Sequence, residues 1–145
     1  MSKRKGHFFT LELRPYDYVV AVSVGQTDRE LGAQLREVDR KHGINITGEM
    51  LEGVAKGPAF MVSLVGKERR AFDSFMYLKY PPVALADQGV LMHECLHVVR
   101  HCLRRANITM GGNNGEEAYC YLLEWMWKAV MERVVRSGSQ KSKSS

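Results

Sequence analysis

The chain has 145 residues, 45% hydrophobic and 26% charged, with 13 Gly and 4 Pro. That is enough to bury a core, and it excludes collagen-like, mucin-like and wholly disordered chains. No apolar run approaches the roughly 18–20 residues that span a bilayer. After the basic start, residues 7–13 (HFFTLEL) alternate with polar positions instead of forming a signal peptide's apolar segment. The expectation is a cytoplasmic protein. Net charge is +5, yet Lys3, Arg4, Lys5, Arg133, Arg136, Lys141 and Lys143 all sit at the ends, leaving 14 basic against 16 acidic residues between Gly6 and Glu132. Without a helix-turn-helix, RRM or zinc-finger pattern, nucleic acid is expected to bind at most weakly, through the basic termini.

Three cysteines, Cys95, Cys102 and Cys120, form no CxxC pair. An odd number without metal-ligand spacing argues against a disulfide framework or a zinc ribbon, and they read as small buried apolar residues.

Phe8–Leu13 and Tyr18–Val24 read as two strands joined by a turn at Arg14–Asp17. Thr27 with Glu30 forms a capping-box pattern, Leu31, Leu35 and Val38 follow at helical spacing, and Gly43 stops a helix predicted over 27–42. Ile44–Gly57 stays open, with a short helical turn around Glu49–Ala55. Ala59–Val65 reads as a strand, Gly66–Arg70 as a turn, and Ala71–Tyr80 as an aromatic-rich strand ended by Pro81 and Pro82. From Val83 to about Ala106 the pattern is helical, with Leu85, Val90, Leu96, Val99 and Leu103 among its apolar positions. After a turn at Gly111–Gly115, a last helix runs from Glu116 to about Val135. Its Leu122, Leu123, Trp125, Met126, Trp127 and Val130 form a wide apolar surface read as core. The order predicts an α+β domain over residues 7–136, with a small mixed or antiparallel sheet packed against the last two helices. A basic tail (1–6) and a disordered Ser/Lys-rich tail (137–145) flank it.

One motif stands out: His93-Glu94-Cys95-Leu96-His97, an HExxH within a predicted helix. Positions i and i+4 share a face, so both imidazoles can present a nitrogen to one metal ion. Glu94 lies about 100° round the helix, within reach of a water on that metal without being a ligand. Zinc suits this chemistry: catalytic sites use three protein ligands and keep a position for water, whose proton the glutamate takes before carbonyl attack. One Zn2+ per chain is expected.

The third ligand has several candidates. His101 continues the stripe, but a straight helix carries it about 6 Å beyond His97, which makes it a supporting or surface residue. Cys102 points away from the stripe. Glu116 and Glu117, on the first turn of the last helix, are better placed, although the helix macrodipole alone favours acids there. Tyr119 and Tyr121 are candidates for stabilising an oxyanion, against the commoner role of Tyr in packing. Asp87 is read as capping or buttressing the motif helix.

From Met92 to Leu122 the pattern is an HExxH helix, a short linker, then an acidic pair followed by Ala-aromatic-small-Tyr, here Gly115-Glu116-Glu117-Ala118-Tyr119-Cys120-Tyr121-Leu122. It resembles the gluzincin branch of zinc metallopeptidases, and more narrowly the small zincin-like proteins of bacteriophages and prophages. The resemblance implies a minimal zincin with zinc on His93, His97 and Glu117 and Glu94 as general base in peptide-bond hydrolysis, while Glu116 stays a candidate for the third ligand or a supporting group. It implies a protein or peptide substrate, with one dedicated partner among the options, in the cytoplasm of a bacterial host. A non-catalytic zinc-stabilised accessory or virion protein is one alternative, a nucleic-acid accessory protein working through its basic ends is a further one, and no membrane partner is expected. Thermolysin-like enzymes carry ExxxD on the second helix. Here Tyr121 stands four residues after Glu117, so that position supplies no carboxylate to orient the first His. In zincins the strand before the motif helix is often a sheet edge that pairs with an extended peptide. The matching residues are Phe72, Phe75 and Tyr77.

Overall fold

The computed structural model describes residues 6–65, 69–112 and 114–143, with 136–143 by backbone alone. The expected basic tail therefore lies outside the described residues apart from Gly6, as do the start of the Gly66–Arg70 turn and the last two residues of the Ser/Lys-rich tail. The chain is α+β, with a four-stranded mixed sheet and four helices. It divides into two compact units, the boundary falling between Tyr80 and Pro81.

In the first unit, β1 (His7–Glu12) and β2 (Val19–Val24) form the expected antiparallel hairpin. Its turn is closed by Leu13 N–H to the Tyr18 carbonyl at 2.7 Å, with Asp17 in the left-handed region at φ 47°, a conformation Asp tolerates better than most residues. Next, α1 (Asp28–His42) starts at Thr27, whose hydroxyl accepts the Glu30 N–H at 3.1 Å, and ends at Gly43, with φ 63°. Both boundaries are those the sequence predicts.

The open segment resolves into a full helix, α2 (Thr47–Lys56), followed by β3 (Ala59–Ser63) and β4 (Ser74–Leu78). Ile46, at the N-cap of α2, makes no side-chain capping bond. Asp39 supplies the cap from α1 instead, accepting from Ile46 N–H (2.9 Å), Thr47 N–H (3.1 Å) and the Thr47 hydroxyl (2.6 Å). Only the fold brings that carboxylate to the orphan donors, so local pattern could not predict this cap.

The sheet order is β1-β2-β4-β3, with β2 parallel to β4 and β3 antiparallel to it. Alternate residues make its two faces. Ala21, Phe75 and Tyr77 join Leu31 and Leu35 of α1, Met50 of α2, Ile46, Leu64 and Phe72 in one core cluster. The opposite face carries Phe9, Leu11, Val20, Val22, Val24, Met76 and Leu78, all buried as well. Burial on both faces explains why β2 (VVAVSV) reads as a nearly continuous apolar run rather than an alternation. Each such side chain contributes roughly 1.5–3 kcal/mol when fully buried.

This topology corrects the edge-strand expectation. β4 is paired on both sides, so Phe75 and Tyr77 belong to a central strand whose backbone groups are already bonded to β2 and β3. Phe72 precedes the strand and is buried in the core cluster. The outer strands of the sheet are β1 and β3.

The second unit holds α3 (Leu85–Arg105) and α4 (Gly115–Lys143), which pack against each other. α3 closes through Asn107, at φ 61°, with Asn107 N–H to the Arg104 carbonyl (3.0 Å) and Ile108 N–H to the Leu103 carbonyl (2.9 Å), the paired bonds of a Schellman ending. α4 runs on past Val135, where the sequence reading ended it, into the segment read as a tail. No helix among the described residues is long and apolar enough to cross a membrane.

Candidate metal centre

The buried stripe of α3 differs from the predicted one. Leu91, Glu94, Cys95, Val98, Val99, Cys102 and Leu103 are buried, whereas Leu85, Val90 and Leu96 are exposed. The 4-3-4 spacing of 91, 95, 98 and 102 selects one face, and the three exposed apolar residues fall off it. On α4 the corresponding stripe is Tyr119, Leu122, Met126 and Val130. Trp125 is partly exposed and Trp127 half-buried, so the wide apolar surface is core along one side only. Of the cysteines, Cys95 and Cys102 are buried as expected, and Cys120 is exposed, contrary to expectation, because it follows the buried Tyr119 round the helix. Burial pushes the Cys95 thiol up to about 12, which leaves it protonated and inert.

His93 and His97 stand on the exposed side of α3, and Glu94 between them in sequence turns inward to 7% exposure. One helical turn brings the two Nε2 atoms to 3.1 Å, with ring centroids 4.8 Å apart and the rings edge-on at 77°. The contact is a hydrogen bond between the two rings; two nitrogens each about 2.05 Å from one tetrahedral zinc would be about 3.3 Å apart, so the pair needs little movement to share an ion. The donors the structure brings together are two imidazole nitrogens, a type that suits zinc better than a hard oxygen-seeking cation, and among the described residues no third donor is gathered with them. Burial raises the Glu94 carboxyl above its ordinary range, and the imidazoles of His97 and His93 pull it part of the way back. A carboxyl raised in this way is better matched to proton transfer near neutral pH.

Glu116 and Glu117 occupy the exposed first turn of α4. Among the described residues, no group of three or more His, Cys, Asp or Glu side chains is gathered so as to hold a metal ion. The two imidazoles, two of the three expected ligands, are thus brought together, and neither acid joins them in such a group. Tyr119 is buried in the α4 packing stripe, while Tyr121 stands 70% exposed. Half-buried His101 is held below the ordinary imidazole value by burial, then by Arg104, Arg100 and His97. Asp87 sits in the first turn of α3, where a carboxylate is favoured by the macrodipole, but no side chain caps Ala84.

Two open cavities, of about 350 and 540 Å³, lie in the first unit, one at Glu12–Val19 and one beside His42, Arg69, Arg70 and Phe72; neither is lined by a residue of α3. Arg100 and Arg104 belong to no sequence motif. Their signal was the same helical spacing that joined His93 to His97, extended by seven and eleven residues from His93. Comparison with protein-family models, curated proteins and solved structures finds no significant match.

Proposed function

We propose that the chain is a minimal zincin, a zinc-dependent metallopeptidase that hydrolyses a peptide bond in a protein or peptide substrate in the cytoplasm. The observation that carries the reading is the 3.1 Å approach of the His93 and His97 Nε2 atoms beside the inward-turned Glu94. His93 and His97 would hold the ion, and Glu117, the second acid of the pair that opens α4, would complete the set. Bound zinc supplies an acidified water and an electrophile for the carbonyl oxygen. With the ion in place, Glu94 would take a proton from the attacking water and pass it to the departing amine. Its inward position keeps bulk water from the carboxyl, which supports that role. Among the described residues Glu117 is not gathered with the imidazoles, so its joining them would be coupled to zinc binding itself.

The test is zinc stoichiometry by elemental analysis on the wild type, His97→Ala, Glu117→Gln and Glu94→Gln. One zinc per chain is expected, lost in His97→Ala, weakened in Glu117→Gln and retained in Glu94→Gln, together with a cleavage event that Glu94→Gln abolishes. Absence of zinc in every form after zinc is supplied overturns the reading. Zinc retained with no Glu94-dependent cleavage replaces it with a non-catalytic, zinc-stabilised interaction protein.

A further inference from the structure

The face of α3 that carries the imidazole pair continues toward the end of the helix. At 100° per residue, positions 93, 97, 100 and 104 fall within about 60° of one another. The last two are Arg100 and Arg104, and all four side chains are exposed. With a rise of 1.5 Å per residue, Arg100 lies about 4.5 Å and Arg104 about 10.5 Å beyond His97 along the axis. Among the described residues neither guanidinium has a hydrogen bond or an ion pair. Their field nevertheless reaches the helix itself, since both contribute to holding His101 low.

Helix-end electrostatics explains only part of this. Cations in the last turn complement the macrodipole, which accounts for Arg104 and Arg105. Arg100 lies before the last turn. It carries a second fixed charge in line with the imidazoles.

We infer that Arg100 and Arg104 extend the imidazole site into a recognition stripe for acidic peptide segments. The two arginines are about 6 Å apart along the helix axis, close to the roughly 6.6–6.8 Å between side chains i and i+2 of an extended peptide. Carboxylates at alternate residues of one strand would therefore meet successive guanidiniums, each presenting a fork suited to a carboxylate. Exposed Met92 and Leu96 flank the imidazoles and offer apolar contact to the intervening backbone. Two cations in a row are few for sequence-independent nucleic-acid binding, which draws on many phosphates. The inference rests on the metallopeptidase reading for its location beside the reacting bond, but binding tests it separately.

The experiment measures fluorescence anisotropy of a labelled peptide of alternating Glu and Ala, beside its Gln-for-Glu twin, on the full-length Glu94→Gln protein with and without zinc. The Glu peptide is expected to bind about tenfold more tightly, the scale of one charge-assisted hydrogen bond. Arg100→Gln with Arg104→Gln should abolish that preference while zinc content and helical circular dichroism stay unchanged. Arg100→Glu with Arg104→Glu should turn the preference toward a Lys peptide. Equal binding of the twins, a preference that survives the double Gln variant, or displacement by a single-stranded oligonucleotide at matching concentration overturns the proposal. If no zinc is bound, the metallopeptidase reading falls, and the peptide comparison on the metal-free protein still upholds or overturns the stripe.

Discussion

The carboxylate of Asp39, near the end of α1, accepts both the backbone N–H and the hydroxyl of Thr47, the first residue of α2. The Asp39 carbonyl meanwhile receives the N–H groups of Gly43 and Ile44. One residue therefore closes one helix and opens the next. Asp39→Ala should cost about 2 kcal/mol, more than an ordinary exposed cap, because several donors lose their acceptor together. Chemical denaturation of the two proteins checks this, and an unchanged midpoint would show that water satisfies those donors equally well.

The same residue sets an acid dependence. Burial pushes the Asp39 carboxyl up, but the Thr47 hydroxyl and the N–H groups of Ile46 and Thr47 outweigh it, and the net shift is downward. A folded-state value below the unfolded one means that this stabilisation is complete above the ordinary carboxylate range, near 3.9, and is lost as pH falls through the folded value. Denaturation midpoints measured from pH 7 to pH 3 should fall less steeply for Asp39→Asn than for the wild type.

Gly115 opens α4 immediately before Glu116 and Glu117. A Cβ built there would sit 1.8 Å from the Thr109 carbonyl oxygen and 2.9 Å from its carbon. Backbone atoms cannot swing away as a side chain can. Gly115→Ala should therefore destabilise the protein by about 2–3 kcal/mol and displace the turn carrying Glu117. Thermal melting reads the first effect. The proposed ligand role predicts a parallel loss of zinc affinity, measured by competition with a chelator.

Leu91 and Leu96 distinguish the observed buried stripe of α3 from the predicted one. Leu91 is fully buried and Leu96 is 41% exposed. Leu91→Ala should cost about 2–5 kcal/mol, the range for emptying a packed site, and Leu96→Ala less than about 1 kcal/mol. Comparable losses at both positions would place the core on the wrong face.

Much of the molecule is legible in its residues. The α+β class, the β1–β2 hairpin, the Thr27 and Gly43 limits of α1 and the helical setting of HExxH all follow from local rules. A cap reaches three residues, and a helical turn repeats after four. That local geometry also brings the His93 and His97 nitrogens together, because i and i+4 on one helix meet wherever that helix lies.

What depended on the tertiary structure involves partners distant in sequence. Strand order made β4 central, which no reading of Phe72, Phe75 and Tyr77 alone could reveal, since an edge strand and a central one share the same composition. The cap of α2 came from Asp39, seven residues before Ile46. Which apolar residues of α3 are buried depended on the packing of neighbouring elements, and that choice turned Glu94 inward while leaving Leu85, Val90 and Leu96 in water. Local periodicity identifies a helix and the side chains that share its faces. Only long-range packing decides which face is buried, because burial is a property of the neighbours that cover a surface.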